Sequence, residues 1–162
     1  MSWDKNNLAC ICVFPPWQRK GLGSLLIGVS YEISRRERIL GGPEKPISDV
    51  GKKGYIKYWA GEISRYLLQL ELEDGKQHST TVAEISKATW ISREDTLEAL
   101  RYMGLANESG DGGRGVVIDK EDIRAWVERM HLNLVPAIDP AGFPDGLYVR
   151  PPTPDMEDDD VE

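Results

Sequence analysis

The stretch that most constrains this chain is Asn7 to Phe14 (NLACICVF), closed by Pro15 and Pro16 and followed by a glycine-bearing loop. The run is rich in strand formers, and its continuous apolarity predicts a buried strand covered on both faces. Such a strand needs neighbours on both sides, and little elsewhere in the chain supplies them. The expectation is that sequence is missing upstream of Met1. After the loop Trp17 to Gly23, Leu22, Leu25, Leu26, Val29 and Ile33 recur at helical spacing and predict one apolar helix face. Arg35, Arg36 and Arg38 suit the negative end of that helix. Gly41, Gly42 and Pro43 then stop it.

An irregular stretch to Gly54 is expected to precede a second helix from Tyr55 to about Leu70, with Tyr55, Trp59, Ile63, Tyr66, Leu67 and Leu70 inward. Glu73 to Ser79 reads as a polar linker. From Thr80 to Met130 the pattern predicts three short helices. Thr81 with Glu84 forms a capping box and Ser92 with Asp95 a version with a shorter acid. Val82, Ile85 and Ala88 point inward on the first, and Leu97, Leu100 and Met103 on the second, which ends at Gly104. The turn-rich Ser109 to Gly115 leads to a wing strand, Val116 to Ile118. Asp119 caps the last helix, which buries Ile123, Trp126, Val127 and Met130. Helix, turn, helix and hairpin together predict a small winged-helix unit. The expected division is 1–75, 76–135 and 136–162, the last a Pro- and Gly-rich segment with an acidic, disordered end from Asp155.

The 162 residues suit one domain or one compact unit with an appendage, and 40% hydrophobic content is enough for a core. A net charge of −7 opposes non-specific DNA binding and suits a basic peptide partner. The two cysteines, Cys10 and Cys12, would share one strand face too far apart for an easy bridge, which fits a cytosolic or nuclear setting. No stretch is apolar enough over the needed length to span a membrane, and Met1 to Asn7 lacks a signal-peptide profile.

Strand, two-glycine loop and helix make an arrangement that binds phosphate. Glycines let the backbone turn and aim its N–H groups outward, and the helix N-terminus adds partial positive charge. No Gly-Lys-Ser/Thr follows, so it is not a Walker loop, and Leu26 stands where a dinucleotide fingerprint has its third glycine. Gln18, Gly21 and Gly23 instead fill Q/R-x-x-G-x-G/A, the pyrophosphate loop of N-acetyltransferases. By itself the pattern equally suits a glycine-eased strand-to-helix turn.

Further motifs come in order: N-L-A-C-I (Asn7 to Ile11), P-P-W-Q-R-K-G-L-G (Pro15 to Gly23), S-Y-E-I-S-R-R-E (Ser30 to Glu37), G-P-E-K-P-I-S-D-V-G (Gly42 to Gly51) and Y-I-K-Y-W (Tyr55 to Trp59). Together they closely resemble the MYST family of histone acetyltransferases. The resemblance continues more loosely through T-V-A-E-I-S (Thr81 to Ser86) and A-I-D-P (Ala137 to Pro140), covering about residues 1 to 150. The first motifs look most like the fungal branch associated with silencing.

The resemblance implies an α/β fold: a partial N-acetyltransferase (GNAT-like) core followed by a mainly helical, winged-helix-like C-terminal unit. It implies acetyl-CoA as cosubstrate, a histone tail peptide as substrate, a larger complex and a nuclear location. Glu44 matches the family's general base, where the residues alone would suggest an exposed acid in a proline-flanked turn. Cys10 matches the family's active-site cysteine, either a nucleophile that briefly holds the acetyl group or a packing and positioning residue. Direct transfer with Glu44 as base is the preferred reading. Cys12 is expected to be a small buried hydrophobe. Cofactor contacts carried over by match are main-chain groups at Ile11 and Val13 and the loop Gln18, Arg19, Lys20, Gly21, Leu22 and Gly23. Val13 replaces a threonine common at its position. Arg19 and Lys20 either add charge toward phosphate or are solvated surface. Ser48 matches a serine near the cofactor's sulfur end, or is an ordinary cap. The family's zinc finger and autoacetylated lysine would lie upstream, so no metal is assigned to this chain. Met130 to Val135 (MHLNLV) lacks the basic residues typical there, which puts DNA contact by that segment in doubt.

Other readings remain. A plain winged-helix nucleic-acid binder would want a basic recognition helix, but Arg93 and Arg101 stand against Glu94, Asp95 and Glu98 on Ser92 to Met103, and no sequence-specific DNA binding is expected. An acetyltransferase for another amine would share the glycine loop but not the Glu44 motif. A catalytically incomplete fragment would keep the loop without most of the sheet, leaving strand edges exposed.

Overall fold

The computed structural model describes residues 6–71, 78–106 and 115–144. Its elements, in chain order, are β1 (Asn6–Leu8), α1 (Leu22–Arg36), β2 (Gly42–Pro43), α2 (Asp49–Gln69), β3 (His78–Thr80), α3 (Val82–Thr89), α4 (Arg93–Met103), β4 (Val116–Ile118) and α5 (Lys120–Arg129). Strand and helix are thus mixed, and helix dominates. The linker expected from Glu73 falls mostly outside the described residues, as do the turn from Ser109 and the acidic tail.

α2 is the hub. Ser48 starts it by accepting from Gly51 N–H at 3.1 Å, and Asp49 adds an acid to the first turn. Trp59, Ala60, Ile63 and Leu67 have no exposed surface, and Tyr55 and Ile56 have little. The helix packs against α1 and also against α3, α4 and α5, so its apolar positions wrap around it rather than forming one stripe. Expected to begin at Tyr55, it begins at Asp49 instead. Gly51 and Gly54 masked the start, while the Ser48 cap was its local signal.

α1 lies on α2 with a face turned from the expected one. Ile27 and Tyr31 are 2% and 3% exposed, whereas Leu25 and Leu26 are 41% and 38% exposed. Tyr31 decides the orientation. Its hydroxyl accepts from Trp59 Nε1 at 2.7 Å, and its ring stacks on Tyr58 with centroids 5.2 Å apart. A buried indole N–H requires such a partner. Of the expected apolar face, Leu25 and Leu26 are left uncovered, while Leu22, Val29 and Ile33 are half-buried.

The strand expected over Asn7 to Phe14 is also corrected. Only Asn6–Leu8 pairs, parallel to Gly42–Pro43, and Cys10 and Cys12 are free and exposed. Among the described residues β1 has β2 on one side and nothing on the other, so the ladder stops after Leu8. Cys12 is therefore not the buried hydrophobe its neighbours suggested.

In the second half β3 and β4 pair antiparallel, with His78 opposite Ile118 and Thr80 opposite Val116. The Thr81–Glu84 capping box forms in full, and the Ser92 and Asp119 caps are present. Ile85, Leu100, Met103, Ile123 and Trp126 are buried as expected. Ala88 is exposed, and Ser86 is buried in its place, its hydroxyl donating to Ile91 O at 2.6 Å. Residues 136–144 return to α1. Arg36 donates to Glu32 Oε1 and to the carbonyls of Pro140 and Pro144, and its guanidinium lies 5.0 Å over the Phe143 ring.

Candidate active site

The parallel pairing of β1 and β2 puts the carboxyl ends of both strands at one edge. In open α/β sheets this edge is where ligands bind. Cys10 follows two residues after Leu8, and Glu44 follows directly on Pro43. Glu44 N–H donates to Leu8 O at 2.9 Å, so its backbone is pinned to the end of β1 while its side chain is exposed. Glu44 and Cys10, matched separately in sequence, thus belong to the same strand edge.

From that edge the chain runs through Ile11 and Val13, both half-buried, and Ile11 rests on the core. Both lie past the last ladder pair, so their amides are not committed to a sheet partner. A 3-10 turn at Pro15–Trp17 reverses the chain. Gln18 closes the loop by donating Nε2–H to Val13 O at 2.8 Å.

Arg19 and Gly21 have φ of +60° and +83°. For Arg19 the left-handed region costs about 1–2 kcal/mol, whereas glycine enters it freely. Gly21 is the N-cap of α1 and supplies no side chain to the first-turn amides of Leu22, Gly23 and Ser24. An ideal Cβ at Gly21 or at Gly23 would meet nothing within 4 Å. The helix thus offers bare N–H groups and the positive end of its dipole to open space, with Arg19 and Lys20 exposed beside them. This donor set fits a pyrophosphate.

Ser48 is the N-cap of α2 and accepts from Gly51 N–H, leaving its hydroxyl proton available. A groove of about 500 Å³ starts at Lys20, Gly21 and Leu22 and passes Lys57 and Arg65 of α2 toward residues 130–137. Lys57, Gly61 and Arg65, spaced i, i+4 and i+8, share one helix side, which was a legible signal. That residues 130–137 would form the opposite wall was not. Among the described residues no cluster of His, Cys, Asp and Glu is placed to hold a metal, and no helix is long and apolar enough to cross a membrane.

The MOZ/SAS family model matches residues 1–141, and so spans both the strand edge and the helices behind it. This chain belongs to the MOZ/SAS family. Among curated MOZ/SAS-type relatives, histone acetyltransferase SAS2 of Saccharomyces cerevisiae is 38% identical over 128 residues, 79% of this chain and 36% of that protein. Histone acetyltransferase MOF of Drosophila melanogaster is 43% identical over 102 residues, 63% of this chain and 12% of that protein. Human histone acetyltransferase KAT6A is 36% identical over 139 residues, 85% of this chain and 7% of that protein. The MYST resemblance read from the motifs is borne out. The chain spans about a third or less of the length of these MOZ/SAS relatives.

Proposed function

We propose that this chain carries the acetyl-CoA-binding and catalytic half of a histone lysine acetyltransferase, with Glu44 as general base. The observation that carries the proposal is the Glu44 N–H bond to Leu8 O, which ties the carboxylate's backbone to the strand end that leads to Cys10 and the glycine loop. Acetyl-CoA supplies the acetyl thioester. Its pyrophosphate lies on the first amides of α1, with Gly21 and Gly23 admitting it to the backbone and Arg19 and Lys20 adding charge. Main-chain N–H groups at Ile11 and Val13 face the thioester oxygen as preorganised donors. A substrate lysine with a solution pKa of roughly 10.4 is almost fully protonated at neutral pH. The Glu44 carboxylate takes its proton as the amine attacks the thioester carbonyl. The C–S bond then breaks, and CoA leaves as the thiol, carrying a proton in exchange, with Cys10 lining the site.

The unit from β3 to α5, with β3 against β4, supports the winged-helix-like reading of residues 76–135 as a flank to residues 1–75. The names of the relatives support a histone substrate, and a histone substrate in turn suits a nuclear setting. Work within a larger complex belongs to the proposal as what the family resemblance implies.

A second reading, that the site is completed by further sheet, is favoured by one surface. Phe14 and Trp17 are 70% and 54% exposed, and Leu25 and Leu26 of α1 are 41% and 38% exposed, apolar surface that suits another layer. Transfer of labelled acetyl to histone tail peptides decides between the two, run beside Glu44→Gln. Transfer that the substitution removes supports a self-sufficient half. No transfer from the folded chain, restored by adding upstream family sequence, supports the second. Full transfer by Glu44→Gln refutes Glu44 as base.

A further inference from the structure

Residues 41–45 are held from two sides. Glu44 N–H is bonded to Leu8 O, and Gly41 bridges in parallel with Ile91, just ahead of α4. Under this segment lies Asp95, in the first turn of α4 and 1% exposed. An ideal Cβ on Gly42 would stand 2.5 Å from Asp95 Oδ2, so the backbone comes this close only because residue 42 has no side chain. Asp95 Oδ1 is 3.1 Å from Lys45 Nζ, and the same ammonium is 2.9 Å from Glu94 Oε2. A carboxylate this deep is unfavourable without a counter-charge, and Lys45 supplies one from the residue next to Glu44. One turn into α2, Lys52 pairs with Glu98 at 2.6 Å, a further tie from this part of the chain to α4. Burial works against the Lys45 charge, but the carboxylates of Glu94 and Asp95 outweigh it and hold the ammonium above the ordinary lysine value.

We propose that Asp95, acting through Lys45, is a positioning residue for Glu44: the ion pair between buried Asp95 and the more exposed Lys45 clamps the Gly42–Lys45 segment to α4 and keeps the Glu44 carboxylate at the strand edge. The inference rests on Glu44 being the base. It gives the second half of the chain a part in the chemistry of the first. Glu44 touches substrate, whereas Asp95 does not.

The test uses the full chain and two readouts. Amide hydrogen exchange is followed at Glu44 and, as internal reference, at Ile63 and Leu67 in the core of α2. Acetyl transfer to a histone tail peptide is resolved into kcat and KM. Asp95→Asn and Lys45→Met are each expected to speed Glu44 exchange by about tenfold or more, with the α2 amides nearly unchanged. Both are expected to lower kcat by about ten- to a hundredfold with little change in KM for the peptide. Lys45→Arg, which keeps the charge, is expected to restore both values. Unchanged Glu44 exchange in Lys45→Met overturns the proposal, and so does a loss of protection shared equally by Ile63 and Leu67. Should Asp95→Asn fail to fold, Lys45→Met decides, because the substituted side chain is 42% exposed and the Ile63 and Leu67 amides report separately whether the uncompensated Asp95 charge has loosened the core. Full activity in Glu44→Gln would instead remove the base assignment, and the exchange result would still decide whether the pair clamps the segment.

Discussion

Replacing Gly23 by alanine separates what the helix wants from what a bound phosphate needs. Gly23 is the second residue of α1, and a methyl there meets nothing within 4 Å. Where the backbone already suits alanine, the substitution restricts the unfolded chain and stabilises by about 0.4–1 kcal/mol. For a chain of this size that raises Tm by about 1–4 °C. The same open space is where the proposed pyrophosphate meets the α1 amides, so the methyl should push the ligand back. At free acetyl-CoA near 100 times Kd, binding stabilises the native chain by about 2.7 kcal/mol. A tenfold loss of affinity, about 1.4 kcal/mol, roughly halves that gain. The assay is thermal unfolding of both proteins, with and without acetyl-CoA at the concentration set for the wild type. The expected result is a higher Tm without ligand and a ligand-induced rise cut to about half. A ligand-induced rise equal to wild type would refute the placement of pyrophosphate at Gly23. A lower Tm without ligand would refute the inference that the methyl enters open space. Gly21→Ala is the contrast: at φ +83° it should cost about 1–2 kcal/mol even without ligand.

Two further measurements address the core and the caps. Burial, with the Asp95 charge adding to it, pushes the Tyr55 phenol from 10.0 up to about 12, and burial raises Tyr31 and Tyr58 as well. The folded pKa lies above the unfolded value, so this contribution to stability is whole below about pH 10 and is lost as pH rises toward 12. The urea midpoint should fall between pH 9 and 11.5, and a constant midpoint would count against the buried phenols. Thr81→Ala removes half of the α3 capping box and should cost about 1 kcal/mol by urea unfolding, with no measurable change indicating that the box contributes nothing in solution.

Local chemistry was legible in the chain itself. The Thr81, Ser92 and Asp119 caps, the Gly104 stop, and the apolar periodicity of α4 and α5 depend on residues within a few positions of one another, and all are present. So was the succession of site motifs, because each resides in a short contiguous stretch. What tertiary structure decided was which side of each element is covered. Leu25 and Leu26 looked inward by spacing, yet α1 turns Ile27 and Tyr31 to α2 because the Trp59 N–H must find an acceptor in the core. The apolar run from Leu8 to Phe14 suited a buried strand, but a strand persists only where a neighbour takes its hydrogen bonds, and here β2 accompanies it no further than Leu8. Asp95 read as the shorter acid of a Ser92 capping box on a mixed-charge helix; the Ser92 half of that box forms. Only the approach of Gly42 and Lys45, some fifty residues earlier, buried it beneath the segment that carries Glu44. Periodicity reports how apolar a face is, whereas burial depends on what arrives from elsewhere in the chain to cover it.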